Sequence, residues 1–125
     1  MSVLHVPGAS LQQSGGQTEG MSRKNAIMDK SDQLCSSIML AKPHSSSGIH
    51  HHATQDTIIY AIRGNGSISF ADGRERVDLK PGDWALIPAN VEHKEMNDGD
   101  EEVEWVIVRG GRVAAVENVD GWKGA

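Results

Sequence analysis

The sequence predicts an all-β fold in a single domain, a sandwich or closed barrel of short strands. Three observations predict it. From Leu34 onward, short apolar and β-branched runs recur at close spacing. Turn-forming residues separate them, at Asn65-Gly66, Asp72-Gly73 and Pro81-Gly82. No segment carries apolar residues at the 3.6-residue period of an amphipathic helix. Many short strands with frequent turns belong to a sandwich or barrel.

Residues 1–33 are polar and weakly patterned, with a Ser/Gln/Gly-rich stretch from Ser10 to Gly20. They are expected to form an irregular N-terminal arm laid over the domain of residues 34–125. Ser36–Ala41 is the first expected strand, and Pro43 ends it. Thr57–Ile62 (TIIYAI) is the strongest, because β-branched and aromatic residues suit a pleated surface. Asn65-Gly66 is a hairpin turn, and Gly66–Phe70 and Arg74–Leu79 follow on either side of a second turn. Trp84–Ile87 reads as a buried strand, Val91–Met96 and Val103–Val108 as two more, and Val113–Val116 as a last short one. The acidic stretch Asn97–Glu102 reads as a solvated loop.

The chain has 125 residues, 38% hydrophobic and 23% charged, which excludes a disordered chain, a collagen or a coiled coil. The net charge is −5 and no basic cluster offsets it, so neither nucleic acid nor an anionic membrane is an expected partner. No apolar run is long enough to span a bilayer. The single Cys35 excludes an internal disulfide and a cysteine-rich metal site. No signal-peptide pattern opens the sequence, and a cytoplasmic protein is expected.

Six histidines are present, and three are adjacent: His50, His51 and His52. On an extended strand side chains alternate faces, so His50 and His52 point one way and His51 the other. Two imidazoles at that spacing can grip one metal ion from the same side. Gly82 to Asn97 then reads G-x5-P-x-N-x2-H-x3-N, a strand, a turn and a second strand that carries His93.

Here the sequence resembles the cupin superfamily, whose first motif is G-x5-H-x-H-x3-4-E-x6-G and whose second is G-x5-P-x-G-x2-H-x3-N. This chain supplies His50, His52 and Gly64 of the first and nearly all of the second, with Asn90 where Gly is usual. Both residues tolerate positive φ. The resemblance implies a small, single-domain, RmlC-like jelly-roll barrel with one divalent transition metal held by His50, His52 and His93.

The first motif departs from the pattern at its carboxylate, because the position of the family's Glu is Thr57. Water or substrate is the first choice for a fourth ligand, then Gln55 or Asp56, then His51. Three neutral imidazoles would leave the ion at +2 and favour an anionic, chelating substrate such as an enolate, a phenolic compound or a 2-oxo acid. The resemblance makes Fe2+ the preferred metal, with Zn2+, Mn2+, Ni2+ and Cu2+ open. Glu95 shares the face of His93 and is a candidate general base or partner of a metal ligand. Tyr60 is the other catalytic candidate. Both faces of TIIYAI are apolar, which suggests burial by a second sheet or by the partner in a homodimer.

Three functions remain in play. The first is a metal-dependent enzyme on a small metabolite, an iron oxidoreductase or dioxygenase ahead of a lyase or isomerase. The second is a non-catalytic small-ligand-binding module. The third is a metal-independent sugar epimerase, weakened because three histidines fall together on the metal positions.

Overall fold

The computed structural model describes residues 2–18 and 20–123. Among these residues twelve strands run in chain order: β1 (Gln13–Thr18), β2 (Met21–Ile27), β3 (Leu34–Ala41), β4 (Ser45–Ser46), β5 (His50–His51), β6 (Thr57–Arg63), β7 (Gly66–Phe70), β8 (Glu75–Leu79), β9 (Trp84–Ile87), β10 (His93–Asn97), β11 (Val103–Gly110) and β12 (Glu117–Asn118). The only helical element among the described residues is one 3₁₀ turn, Gly8–Ser10. No helix is long and apolar enough to cross a membrane.

The strands form two antiparallel sheets. One has the order β1-β2-β3-β11-β6-β9, and the other β12-β5-β10-β7-β8 with β4 beside β10. From β8 to β12 successive strands alternate between the sheets, and the two layers face each other as a jelly roll. The long β3–β11 ladder sets the alternation, running from Val103 opposite Ala41 to Gly110 opposite Leu34. On β11, Val103, Trp105, Ile107 and Arg109 turn inward; on β3, Cys35, Ser37, Met39 and Ala41 do the same. Trp105 is fully buried and packs with Met39, Ile59, Ala61, Ile68 and Ile107 in the core.

Three expectations are corrected. The segment expected as an irregular arm is largely a β-hairpin, because β1 pairs with β2 and β2 pairs with β3. Its Ser- and Gly-rich residues join the sheet through backbone groups, so they leave little side-chain period to read. The last strand lies at Glu117–Asn118, pairing with β5, and not at Val113–Val116. Strand β9 is not buried on both faces: Trp84 is 68% exposed and Leu86 62%. It is the edge of its sheet, and only Ile87 is buried in the core.

The turn between β6 and β7 is held by close packing. Gly64 sits at φ +76°, where L side chains are strained. A Cβ on Gly66 would stand 2.5 Å from the Trp105 ring. Gly66→Ala is therefore expected to destabilise the domain by about 1–3 kcal/mol through overpacking. Urea unfolding checks this; an unchanged midpoint would show that the Trp105 ring has room to move.

Candidate metal centre

The site is built from two stretches of one sheet. Strand β5 and the residue after it supply His50 and His52, and β10 supplies His93 and Glu95. His93 and His50 are direct cross-strand partners, which brings the two stretches together. Alternation on β10 puts His93, Glu95 and Asn97 on the inner face. All four candidate ligands are buried, none more than 3% exposed. Their ligand atoms lie within 4.8 Å of one another. The three imidazole centroids are 4.4 to 5.2 Å apart.

The hydrogen bonds fix which nitrogen faces inward. His50 donates from Nδ1 to the Gly48 carbonyl at 3.0 Å, and His93 donates from Nδ1 to the Val91 carbonyl at 2.9 Å. His52 Nδ1 pairs with Thr57 Oγ1 at 2.8 Å, a hydroxyl able to accept from it. With the proton on Nδ1, each Nε2 carries a lone pair. The three Nε2 atoms and Glu95 Oε1 are buried and have no hydrogen-bond partner. Glu95 Oε1 stands 3.5 Å from His50 Nε2 and 3.4 Å from His93 Nε2. Those separations exceed a good N–H···O bond and suit donor atoms ranged around a common centre. Buried polar atoms almost always find partners, so four orphaned lone pairs facing one another call for a cation. A set of three nitrogens and one carboxylate oxygen fits a divalent first-row transition metal.

The same four groups are electrostatically coupled. Burial by itself favours neutral His50, but the facing Glu95 carboxylate outweighs it and holds the ring's pKa above its ordinary value. Burial likewise opposes ionised Glu95, yet His50 and His93 hold it well below the usual carboxylate range. His52 is pushed down to about 2, first by burial and then by the charges of Arg109 and His93. Its lone pair is therefore available without competition from protons over the physiological range.

The structure redistributes several expected roles. Glu95 groups with the three histidines as a candidate ligand, a position for which water or substrate, then Gln55 or Asp56, then His51 are the sequence expectations. Gln55 is occupied elsewhere: its Nε2 donates to the Val113 carbonyl and its Oε1 accepts from Ala115 N. Asp56 accepts from Ala89 N through Oδ1 and braces the loop before β10. His51 points to the opposite face, 3.3 Å from Glu117. Tyr60 does not reach the site, because Ile59 and Ala61 occupy the inner face of β6 and Tyr60 packs on Trp84 at 4.5 Å outside. Thr57, the position of the family's Glu, orients His52 instead. Asn97 caps the turn after β10, donating to the Ala41, Lys42 and Glu101 carbonyls and accepting from Gly99 N. Asn90 adopts φ 63°, the conformation that a Gly would take there.

Two openings meet the centre. A cavity of about 270 Å³, lined by both polar and apolar side chains, reaches His50 and Glu95 between the N-terminal hairpin and the C-terminal segment. An apolar cavity of about 250 Å³ between β8 and β9 reaches His93, with Ile68, Leu79 and Ile87 on its walls. Arg23 of the hairpin, which the sequence reading left aside, lines the first cavity. Nothing in a polar, unpatterned arm marks such a residue.

Residues 37–109 match the cupin domain family. Among solved structures, the polyketide cyclase RemF from Streptomyces resistomycificus superposes with a TM-score of 0.78 at 17% identity, covering 98% of this chain and 88% of that one. KdgF from Halomonas sp. gives 0.75 at 17% identity, over 89% and 96%. Oxalate decarboxylase from Bacillus subtilis gives 0.73 at 20% identity; the match covers 82% of this chain and 28% of that longer one. At these identities the likeness is one of fold. No curated protein matches the sequence significantly.

His93→Ala and Glu95→Gln are each expected to abolish stoichiometric metal uptake while the barrel stays folded. Thr57→Val keeps the shape but removes the acceptor for His52, and should weaken metal binding about 10- to 100-fold. Elemental analysis with circular dichroism checks all three. Full metal occupancy in the Glu95 variant would remove that carboxylate from the ligand set.

Proposed function

From the premise that this chain belongs to the cupin domain family, we propose that it is a metal-dependent enzyme acting on a small, anionic, oxygen-chelating metabolite. The observation that carries the reading is the convergence of three Nε2 atoms and Glu95 Oε1, buried and without a partner. A divalent ion held there would supply Lewis acidity toward a substrate oxygen.

The remaining work falls to the chain itself. His50, His52, His93 and Glu95 hold the ion, and Gly48, Val91 and Thr57 keep the imidazoles turned toward it. The barrel wall of Trp105, Ile107 and Ile59 excludes water on the core side. The cavity that reaches His50 and Glu95 admits the substrate. Its volume lies just below the range for drug-sized ligands, which favours a small metabolite.

Glu95 changes the balance between reaction classes. Three imidazoles alone leave an ion at +2, whereas a carboxylate ligand lowers the centre to +1. We therefore place lyase, isomerase or cyclase chemistry through an enolate-like transition state ahead of oxidation. Cyclisation and decarboxylation, the reactions that name two of the structural neighbours, are of this non-oxidative kind. The apolar cavity beside His93 favours a second reading, an Fe2+-dependent dioxygenase, since it offers a dry path for O2. Reconstitution with Fe2+, Mn2+, Ni2+ or Zn2+, followed by turnover of a panel of 2-oxo and β-dicarbonyl acids, separates them. Turnover with several metals and no oxygen uptake is expected. Stoichiometric O2 consumption with Fe2+ alone would establish the oxidative reading.

We also propose that the protein is a homodimer. The outer face of the sheet holding β6 is apolar across neighbouring strands. Ile58 lies opposite Leu86 and Tyr60 opposite Trp84 on one side, and Val108 and Val106 flank them on the other. Ile58, Trp84 and Leu86 are exposed in the single chain. A contiguous apolar face of this kind is uncommon on a monomer, and a second copy would bury it isologously. Light scattering is expected to give twice the 13.5 kDa chain mass, with Trp84→Glu shifting it toward monomer. A monomeric wild type would refute the dimer.

A further inference from the structure

We propose that Arg23, on the second strand of the N-terminal hairpin, is the substrate's carboxylate anchor, so that the site selects 2-oxo or 2-hydroxy acids over neutral carbonyl compounds. The inference rests on the metal-dependent reading above and names the chemical class that the same cavity takes.

Arg23 lies opposite Met39 across the β2–β3 ladder, and Met39 points into the barrel. Its guanidinium stands on the wall of the cavity that has His50 and Glu95 at its inner end. The side chain is 24% exposed, and its nearest acid is Glu95, with Nη2 3.9 Å from Oε2. That is too long for a hydrogen bond. Among the described residues no other acceptor engages the guanidinium, so its fork of donors is free to face a ligand. Asn25 and Ser14 beside it add polar groups to the same wall.

A second cation reinforces the selection. Arg109 is 2% exposed in the barrel interior, and its Nε and Nη2 have no hydrogen-bond partner. Among the described residues its guanidinium makes one hydrogen bond, from Nη1 to the Ala115 carbonyl at 3.4 Å. Arg109 does not line the cavity, but Arg23 and Glu95 both act on its charge. Two guanidinium groups thus share the field of one buried carboxylate. Once Glu95 serves a divalent cation through Oε1, those positive charges are left without an equal counter-charge. An entering anion supplies it. A carboxylate pairs bidentately with a guanidinium fork, and an oxygen on the adjacent carbon then lies toward the inner end of the cavity.

The test is calorimetric titration of the Ni2+-loaded protein with pyruvate and with its neutral amide, pyruvamide. It is run on wild type, Arg23→Gln and Arg23→Lys, with metal content measured first in each. Arg23→Gln is expected to keep the wild-type metal content and to lose pyruvate affinity about 10- to 100-fold, with pyruvamide affinity unchanged. Arg23→Lys should recover part of the loss, because it keeps the charge but not the fork. Pyruvate binding equal in Arg23→Gln and wild type, equal losses for both ligands, or no pyruvate binding to wild type would each overturn the proposal. A wild type that takes up no Ni2+ overturns the metal reading instead, and that is seen before any ligand is added.

Discussion

Four donor atoms, buried and aimed at one another inside a β-shell, are the constraint around which the rest of the molecule is arranged. Leaving such atoms buried and unpaired costs more than a well-made neutral core would. The barrel nevertheless keeps them, and fixes each imidazole from behind through its other nitrogen. Two of those anchors are backbone carbonyls beside the ligands, Gly48 and Val91, so the ring orientation is set locally. The third, Thr57 Oγ1, comes from the start of β6 and ties the centre to the opposite sheet.

The fold supplies what this centre needs. Pairing of His93 with His50 fixes the distance between the two ligand-bearing stretches. The reciprocal contacts between Ser47 and the Glu95 backbone hold β10 in place where the carboxylate turns inward. On the far side, Trp105 and its neighbours form a dry core that keeps the local dielectric low. The N-terminal hairpin extends the first sheet over the mouth and contributes Arg23. One cavity therefore carries Arg23 and Glu95 among polar and apolar side chains, and the gap between β8 and β9 is apolar.

Much of this was legible in the residues, for physical reasons that also explain what was not. Alternation along an extended strand placed His50 and His52 on one face and His51 on the other. It also put Glu95 on the face of His93. What alternation cannot tell is depth. Glu95 lies far enough inside to be a ligand, while Tyr60, on an equally well-predicted strand, lies on the outer face. Motif spacing pointed to Thr57 and its neighbours for the carboxylate. There the chain uses Thr57 to orient a histidine, and Gln55 and Asp56 to staple loops. The hairpin escaped notice because β1 and β2 are joined through backbone groups, and Ser, Gly and Gln leave no apolar period behind. The exposed faces of Trp84 and Leu86 escaped for a different reason, since apolar residues at a sheet edge look the same in sequence as residues in a core.

The most direct measurement of the central claim is anomalous diffraction from a crystal of the metal-loaded protein, recorded on both sides of the metal's absorption edge. The account predicts one strong peak within bonding distance of Nε2 of His50, His52 and His93 and of Oε1 of Glu95. A peak elsewhere, or a loaded protein whose four side chains are bridged by hydrogen bonds and hold no ion, would contradict it.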